Sequence, residues 1–479
     1  MSKRTPLALV AAAGAVVLTT AAATVTAPLR VSGPTPYAAC TVGGPGTNYL
    51  DAEVEPSVSV NPADTRQVVG AWQQDRWADG GAHGLVAGSS RDGGLTWLET
   101  PLPFSACAPG GARYERASDP WVSFGPDGTA YANAISFDQS TPRNAVTAAT
   151  SSDGGQTWTN LATLQSFDTA AFFTDKNSVT ADPLRTGVAY SVWDTLQTPM
   201  SNPRAALFTA AYSGPGYLSM TTDGGRHWSA PRVIFPTGTR QQTIGNQIVV
   251  DRVHPGTLYD VANWIQPPNS VTMTHSTVAF VKSTDGGRTW SAPRVIAQLQ
   301  SVGVTDPNTG AAVRTGDIIP EPAIDPVTGT LHVVWQDARF SGGLYDTVAM
   351  SSSSDGGLTW SAPVEVSTRT GRPAFTPSIA VAADGTVGLT YYDFRNLAAG
   401  NSTTLPTDYW FSSSRDGFVA DSHIAGPFDM MTAPNARGLF VGDYEGLAAA
   451  GAAFRSLYVA TNSGNTANRT DVFTTAITP

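Results

Sequence analysis

The sequence predicts an all-β fold of many short strands, because turn-forming residues are abundant, charge is scarce and one short motif repeats along the chain. Of its 479 residues, 47 are Gly and 34 are Pro, and only 14 % are charged. Turn residues at this density are typical of short strands joined by tight turns. Low charge together with 12 Trp indicates a chain with a large buried core rather than a disordered one.

The repeated motif has the pattern Ser/Thr-x-Asp-Gly-Gly-x-Thr/His-Trp and occurs five times, with a shorter sixth copy. Its Asp residues are 61, 70, 62, 70 and 61 positions apart. Asp followed by two glycines favours a hairpin turn, because the carboxylate accepts backbone N–H groups and glycine readily takes positive φ. We therefore predict a structural role in turns for Asp92, Asp153, Asp223, Asp285, Asp355 and Asp416.

This motif resembles the Asp box, or BNR repeat, of the sialidase (neuraminidase) superfamily, and the resemblance covers nearly the whole chain after its N-terminal segment. It implies a β-propeller of four-stranded antiparallel blades, with Asp-box hairpins between the third and fourth strands on the face away from the site. Repeat lengths favour seven blades over residues 54–479, and six blades, as in sialidases proper, are the alternative. The seventh repeat lacks an outer strand, which residues 28–53 are expected to supply, closing the ring.

The N-terminus has the order of a secretory signal peptide. Lys3 and Arg4 precede an uncharged, Ala-rich stretch, which predicts a signal peptide over residues 1–27, with cleavage near Ala23 as an alternative and an uncleaved anchor as another. We expect an exported, extracellular bacterial protein without stable membrane insertion. Two cysteines in an exported chain, Cys40 and Cys107, predict one disulfide, with two separate buried thiols as the alternative.

The formal net charge of −10 argues against a nucleic-acid partner, which would require a basic surface. We expect a monomer whose partner is a glycan or polysaccharide. No cofactor is expected, although acids lining a channel could hold a structural Ca²⁺.

Candidate site residues lie where the first strand of each blade starts and the second strand ends, because both positions face the same end of the central channel. Converging carboxylates there suit glycosidic bond cleavage, and crowding separates their pKa values. Arginines could clamp an anionic substrate, or could pair with the Asp two positions earlier. The catalytic candidates are Tyr444, Glu321, Asp119 and Asp75, and the substrate-binding candidates are Arg76, Arg339, Arg395, Asp337, Asp393, Lys176, Asp443 and Glu445.

The resemblance implies roles for several of these residues. Sialidases use an arginine triad, a Tyr nucleophile assisted by a Glu, and an Asp acid/base. Tyr444 and Glu321 match the Tyr and the Glu, and Asp119 or Asp75 matches the Asp. Arg339 and Arg395 match two of the arginines, and Arg76 would be recruited from another position. The chain departs from the pattern at Val54-Glu55-Pro56-Ser57, where Glu55 stands in place of the first arginine, and sialic acid is therefore not implied as the substrate.

The function predicted from the sequence is that of a secreted, carbohydrate-active, sialidase-like glycoside hydrolase acting on a glycan, anionic glycans included. Two alternatives are a non-catalytic propeller that binds a glycan or a protein, and a polysaccharide lyase.

Overall fold

A computed structural model describes residues 23–198, 212–267, 275–368 and 370–479. The all-β prediction is confirmed, since the helical elements in these ranges are two short 3₁₀ turns, Arg339–Ser341 and Met430–Thr432. Most of the predicted signal peptide, residues 1–22, lies outside the described residues. Among the described residues, no helix has the length and apolar character needed to cross a membrane.

In the described ranges the strands form seven successive antiparallel units that run from the centre of the molecule outward. Units 1 and 2 consist of Glu53–Val60, Val68–Arg76, Ala82–Ser90 and Leu98–Leu102, then Arg116–Phe124, Ala130–Phe137, Arg143–Ser151 and Thr159–Asp168. Units 3 and 4 consist of Phe172–Ala181, Ala189–Gln197, Gly216–Thr221 and Arg232–Phe235, then Gln241–Val250, Leu258–Gln266, His275–Ser283 and Arg294–Gln298. A two-residue strand, Ser213–Gly214, links units 3 and 4.

Units 5 to 7 complete the series. Units 5 and 6 consist of Glu321–Ile324, Leu331–Asp337, Thr347–Ser353 and Val364–Glu365, then Ala374–Val381, Val387–Asp393, Pro406–Ser413 and Ser422–Asp429. Unit 7 has three strands from the C-terminal part of the chain, Gly446–Ala450, Ala453–Thr461 and Thr470–Thr478.

The outer edge of unit 7 is covered by the N-terminal segment. Thr24–Val25 and Leu29–Arg30 both pair antiparallel with the last strand, Thr470–Thr478. The backbone N–H of Val31 continues the ladder by donating to the Val472 carbonyl over 2.7 Å. Residues from the N-terminal and C-terminal parts of the chain therefore share one sheet, in which the N-terminal segment covers the edge of the last strand.

A central cavity of about 210 Å³ runs between the first strands of the units. Every unit contributes to its wall, with Ser57, Trp121, Ser178, Gln247, Glu321, Ser378 and Leu447 in chain order. First strands that surround one axis, with later strands farther out, are the arrangement of a β-propeller. The apolar core lies between adjacent sheets and contains three fully buried Trp residues from second strands, Trp72, Trp193 and Trp335.

The repeated motif forms the hairpin between the third and fourth strands of a unit. In unit 2, Asp153 Oδ1 accepts the backbone N–H groups of Gln156 (3.0 Å) and Thr157 (2.9 Å), and Oδ2 accepts the Thr157 hydroxyl (2.7 Å). Gly155 in this turn has a φ of 91°, which favours glycine. Ser151 pairs with Ala130 at the start of the second strand, so the turn lies at the opposite end of the unit from Asp119.

Two further features hold the loops at the other end of the molecule. A disulfide joins Cys40 and Cys107, as predicted, with a Cα–Cα distance of 5.6 Å. A small three-stranded sheet of Val304–Thr305, Ala312–Arg314 and Leu439–Phe440 connects the loop before unit 5 with the loop before unit 7. The sequence pattern did not predict this sheet, because it lies outside the repeat.

Candidate functional site

The first strands of units 1, 2 and 3 each carry a charged residue at an irregular step near their start. Glu55, Asp119 and Lys176 have φ values of 55°, 54° and 44°, in the left-handed region that non-glycine residues rarely occupy. The strand registers shift at these points, as expected for β-bulges. Bulges redirect side chains, and such strained positions are frequent at functional sites.

Lys176 lies among three carboxylates that come from different units and loops. Its Nζ is 2.8 Å from Asp443 Oδ2, 3.2 Å from Glu55 Oε1 and 3.5 Å from Asp119 Oδ1. Burial opposes the charge of the ammonium group, but these carboxylates outweigh it and raise the pKa of Lys176 well above its usual value. We call Glu55, Asp119, Lys176, Asp443, Tyr444 and Arg314 the central cluster.

Arg314 reaches the central cluster from the small sheet. Its Nη2 and Nε bind the two Asp443 carboxylate oxygens, at 2.5 and 3.1 Å. The Phe440 ring lies beside two guanidinium groups, with Arg314 Cζ 4.4 Å and Arg76 Cζ 4.8 Å from its centroid. Sequence reasoning missed Arg314, because it belongs to an insertion rather than to a repeated position.

Gly316 explains how this insertion comes so close to the cluster. A Cβ atom at position 316 would lie 1.6 Å from the Asp443 carbonyl oxygen, so only glycine fits. The close approach of the two backbones therefore depends on a residue that no charge or motif pattern indicates.

Tyr444 lies under the carboxylates and is almost fully buried. Its hydroxyl donates to the Pro120 carbonyl over 3.3 Å, and its ring centroid is 5.6 Å from Lys176 Nζ. Burial raises the pKa of Tyr444 well above its usual value, and the charges of Glu55, Asp119, Asp443 and Glu321 raise it further. Three of the four predicted catalytic residues, Tyr444, Glu321 and Asp119, are thus brought near one another.

Glu321 lines the central cavity below Tyr444. Its Oε1 accepts a hydrogen bond from Gln247 Nε2 over 3.2 Å, and burial raises the pKa of its carboxyl to about 8. A carboxyl group with such a pKa exchanges protons readily near neutral pH.

Glu55 and Asp443 have pKa values that move in opposite directions. Burial raises the pKa of Glu55, the positive charge of Lys176 only partly offsets this, and Asp119 and Asp443 add to the rise. Burial would raise the pKa of Asp443 as well, but Arg314 and Lys176 bind its carboxylate and lower it. One carboxyl is therefore held as an acid and its neighbour as a carboxylate, which is the division of roles that acid/base catalysis uses.

Asp175 and Asp194 add two more acids beside the central cluster. They lie directly opposite each other on the first and second strands of unit 3. Both Asp194 oxygens are buried without a hydrogen-bond partner, and burial followed by the charge of Asp175 raises the pKa of Asp194.

The fourth predicted catalytic residue, Asp75, lies apart from these groups. Its Oδ2 accepts the Thr35 hydroxyl (2.7 Å) and contacts His83 Nδ1 (3.3 Å), and its Oδ1 accepts the Asp51 N–H (2.9 Å). Asp75 thereby binds the N-terminal segment to unit 1.

Two of the three arginines expected to bind substrate, Arg339 and Arg395, form internal ion pairs instead of joining the central cluster. Arg339 Nε and Nη2 each lie 2.8 Å from an Asp337 oxygen. Arg395 binds Asp393 (2.5 Å) and Asp421 (2.8 Å), and its Cζ lies 3.6 Å from the Trp410 ring centroid. Both arginines therefore pair with the Asp two positions earlier, which is the alternative to substrate binding that the sequence allowed.

The remaining predicted binding residues are close to the axis but buried. Arg76 is 2 % exposed, and its Nη1 donates to Gln73 Oε1 over 2.6 Å. Glu445 Oε2 accepts the Val459 N–H over 3.1 Å, and its other oxygen has no partner. Within the described ranges, no group of three or more His, Cys, Asp or Glu residues is placed to hold a metal ion.

Comparison with known proteins gives matches only at the level of structure. No family model and no curated protein matches the chain. Among solved structures, an α-L-arabinanase of Penicillium chrysogenum complexed with arabinobiose is similar, with 11 % identity, coverage of 94 % of this chain and 98 % of that chain, and a TM-score of 0.48.

Two further solved structures are similar. The α-L-arabinofuranosidase Arb93A of Fusarium graminearum has 14 % identity, coverage of 77 % of this chain and 92 % of that chain, and a TM-score of 0.47. The Hadza microbial sialidase Hz136 has 16 % identity, coverage of 72 % and 64 %, and a TM-score of 0.43. Similar structures thus include a sialidase, from the superfamily that the repeated motif resembles, but these likenesses assign no activity or substrate to this chain.

Proposed function

We propose that this chain is a secreted, sialidase-like glycoside hydrolase that cleaves a glycan at the central cluster. The observation that carries the proposal is the convergence of Glu55, Asp119 and Asp443 on Lys176, whose Nζ lies 5.6 Å from the centroid of the Tyr444 ring, with Glu321 in the wall of the central cavity. Cleavage of a glycosidic bond needs an acid for the leaving oxygen and a nucleophile or base for the anomeric carbon, and this arrangement holds candidates for both.

The architecture that we propose for this enzyme is a seven-bladed propeller over residues 54–479 with Asp-box hairpins. Residues 28–53 contribute to closing the ring, after a signal peptide over residues 1–27. The seven antiparallel units and the pairing of Leu29–Arg30 with the last strand support this proposal. Thr24–Val25 also pairs with that strand, which supports the alternative cleavage near Ala23.

The proposed reaction divides the roles by protonation state. Glu55, whose pKa is raised, donates its proton to the glycosidic oxygen. The Tyr444 hydroxyl attacks the anomeric carbon while Glu321 takes its proton, and the ionised Asp443 stabilises the positive charge that develops on the sugar. Water then attacks the anomeric carbon of the glycosyl-tyrosine as Glu55, now ionised, accepts a proton from the water, and Glu321 returns its proton to the departing Tyr444 oxygen.

The test measures turnover of a panel of aryl glycosides and a fluorogenic sialoside. Hydrolysis of polysaccharides is measured by the release of reducing ends. We expect hydrolysis of at least one member, lost in Glu55→Gln and kept in the hairpin variant Asp285→Asn. A folded protein without turnover on any member would overturn the proposal. A product with new near-ultraviolet absorbance would assign a lyase instead.

One observation favours a second candidate, a propeller that binds a glycan or a protein without cleaving it. Lys176 Nζ already occupies the space between the carboxyl groups of Asp443, Glu55 and Asp119, at 2.8 to 3.5 Å, and pairs with them internally. Retention of a ligand on a glycan array, with no cleavage of that same glycan in solution, would favour this candidate over the hydrolase.

A further inference from the structure

We infer that the glycan accepted at the central cluster is uncharged, and that sialic and uronic acids are excluded. This inference rests on the hydrolase activity proposed above and names its substrate class. Recognition of a sugar carboxylate requires a cation, most often an arginine, with an accessible pair of N–H groups. The question is therefore whether a cation near the cluster has such an edge available.

Arg314 is the arginine of the central cluster, and its side chain is 25 % exposed. Its Nε and Nη2, the edge that would bind a sugar carboxylate, bind Asp443 at 3.1 and 2.5 Å. The third nitrogen, Nη1, donates to the Ala436 carbonyl over 3.5 Å. The protein's own carboxylate thus occupies the position that an anionic sugar would need.

The other two cations close to the axis are no more available. Lys176 contacts three carboxylates within 3.5 Å and has a side chain that is 10 % exposed. Arg76 is buried beside the Phe440 ring. Arg339 binds both carboxylate oxygens of Asp337 through Nε and Nη2, and Arg395 binds Asp393 through Nε.

The balance of charge around Tyr444 points the same way. Lys176 contacts the carboxyl groups of Glu55, Asp119 and Asp443, Arg314 binds Asp443 as well, and Asp175 lies next to Lys176 in the chain, opposite Asp194. A sugar carboxylate placed beside the ionised Asp443 would be repelled, and the repulsion is strong where water is scarce. The hydroxyl groups of a neutral sugar, in contrast, are donors that carboxylates accept.

The sequence supports the same conclusion at one position. Glu55 stands where the resemblance would place the first arginine of the triad, which reverses the charge at the mouth of the cavity. The glutamate is held there by Lys176 and by a hydrogen bond from the Gln73 amide. The reversal is therefore built into the packing of unit 1.

The test compares substrates that differ only in the charged group: aryl glucoside against aryl glucuronide, and aryl galactoside against aryl galacturonide, with an aryl α-L-arabinofuranoside and a sialoside added. We expect kcat/KM for the neutral members to exceed that of the acidic ones by at least about 100-fold. Equal or faster turnover of an acidic member overturns the inference and leaves the hydrolase proposal standing. Absence of turnover on every member overturns the hydrolase proposal itself.

A variant pair tests the physical reason. Asp443→Asn releases Arg314 and Lys176 from their carboxylate, so binding of glucuronate, measured by titration calorimetry, should tighten at least 10-fold. The matched control is Asp337→Asn, which releases Arg339 at a position outside the central cluster. Glucuronate binding should be unchanged in this variant. If Asp443→Asn does not fold, Arg314→Gln serves instead: it should leave the neutral preference intact, whereas a loss of acidic-substrate turnover in that variant contradicts the inference.

Discussion

The two ends of the propeller are both rich in acids, but they hold them in opposite states. At the hairpin end, Asp285 is half-buried and accepts the Thr289 hydroxyl and N–H, and these bonds lower its pKa to about 2. At the cluster end, burial raises the pKa of Glu321 to about 8. The same functional group is thus a permanent anion that shapes a turn at one end and a proton carrier at the other.

The cause of the difference is where the hydrogen-bond donors come from. A hairpin Asp receives donors from residues three and four positions later, so its environment is complete within one turn. An acid of the central cluster depends on charges from distant parts of the chain: the contact between Lys176 and Asp443 spans 267 positions. The following predictions test this contrast, from the largest expected effect to the smallest.

The largest effect is expected at Glu55. Replacing it with Gln removes the proposed acid while keeping the shape and the hydrogen bond to Gln73, and kcat/KM should fall by about 10²–10⁴-fold. Because Glu55 must be protonated and Glu321 ionised, and the pKa of each is about 8, wild-type activity should be highest near pH 8 and should decline on either side. Asp285→Asn at the hairpin end should keep the rate, and an equal loss in both variants would remove the distinction between the two ends.

The next effect is expected at Lys176. Lys176→Met leaves three buried carboxylates without their cation, and the free energy of unfolding should fall by about 3–5 kcal/mol at pH 7. The loss should shrink at lower pH, where protonated carboxyls no longer need a cation. Denaturant titration measures both values.

The control for Lys176 lies at the hairpin end. Lys282 donates to the Gly356 carbonyl over 3.0 Å and faces the Tyr259 ring. Because no buried carboxylate depends on it, Lys282→Met should cost less than about 1 kcal/mol. Similar losses in the free energy of unfolding for Lys176→Met and Lys282→Met would show that the carboxyl groups of the central cluster do not depend on Lys176.

Unit 7 has no hairpin motif, and the N-terminal segment covers its last strand instead. In a chain that begins at Ala23, deleting residues 23–31 removes the strands that cover Thr470–Thr478, including the bonds from Thr26 N–H to the Ala476 carbonyl and from Val31 N–H to the Val472 carbonyl. At about 1 kcal/mol for each backbone hydrogen bond, we expect the free energy of unfolding, measured by thermal unfolding, to fall by about 3 kcal/mol. An unchanged unfolding midpoint would show that the ring closes without this segment.

The smallest effect is expected for a single hairpin. Asp153→Ala removes the acceptor of three turn hydrogen bonds and should cost about 1 kcal/mol at pH 7. The pKa of Asp153 is lowered in the folded state, to about 2, so its contribution is present above the ordinary Asp pKa. The contribution should vanish as the pH falls through about 2.

The sixth, shortened hairpin is the matched control. Asp416 accepts the N–H of Phe418 over 2.9 Å, and it lacks the Thr or His that stands four positions after the Asp in the other copies. Asp416→Ala should therefore cost less than Asp153→Ala in the same unfolding experiment. A larger cost at Asp416 would contradict the assignment of the stabilisation to the hydrogen bonds of the turn.

Much of the candidate site could be predicted from repeat position alone. Tyr444, Glu321, Asp119, Lys176 and Asp443 all follow from the rule that first strands start at the mouth of the cavity. Arg314 could not be predicted, because it lies in an insertion, and neither could the contacts of Asp75 with Thr35 and Asp51. The pairing of Arg339 with Asp337 was foreseen only as an alternative to substrate binding, since spacing permits both.

By itself, the sequence determined the all-β class, the hairpins of the repeated motif and the pairing of its only two cysteines. These depend on turn chemistry between neighbouring residues and on composition. The tertiary structure alone decided which acids keep their protons and which cations are already occupied. Those properties depend on burial and on contacts such as Glu55 with Asp443, which are 388 positions apart and come together only when the ring closes.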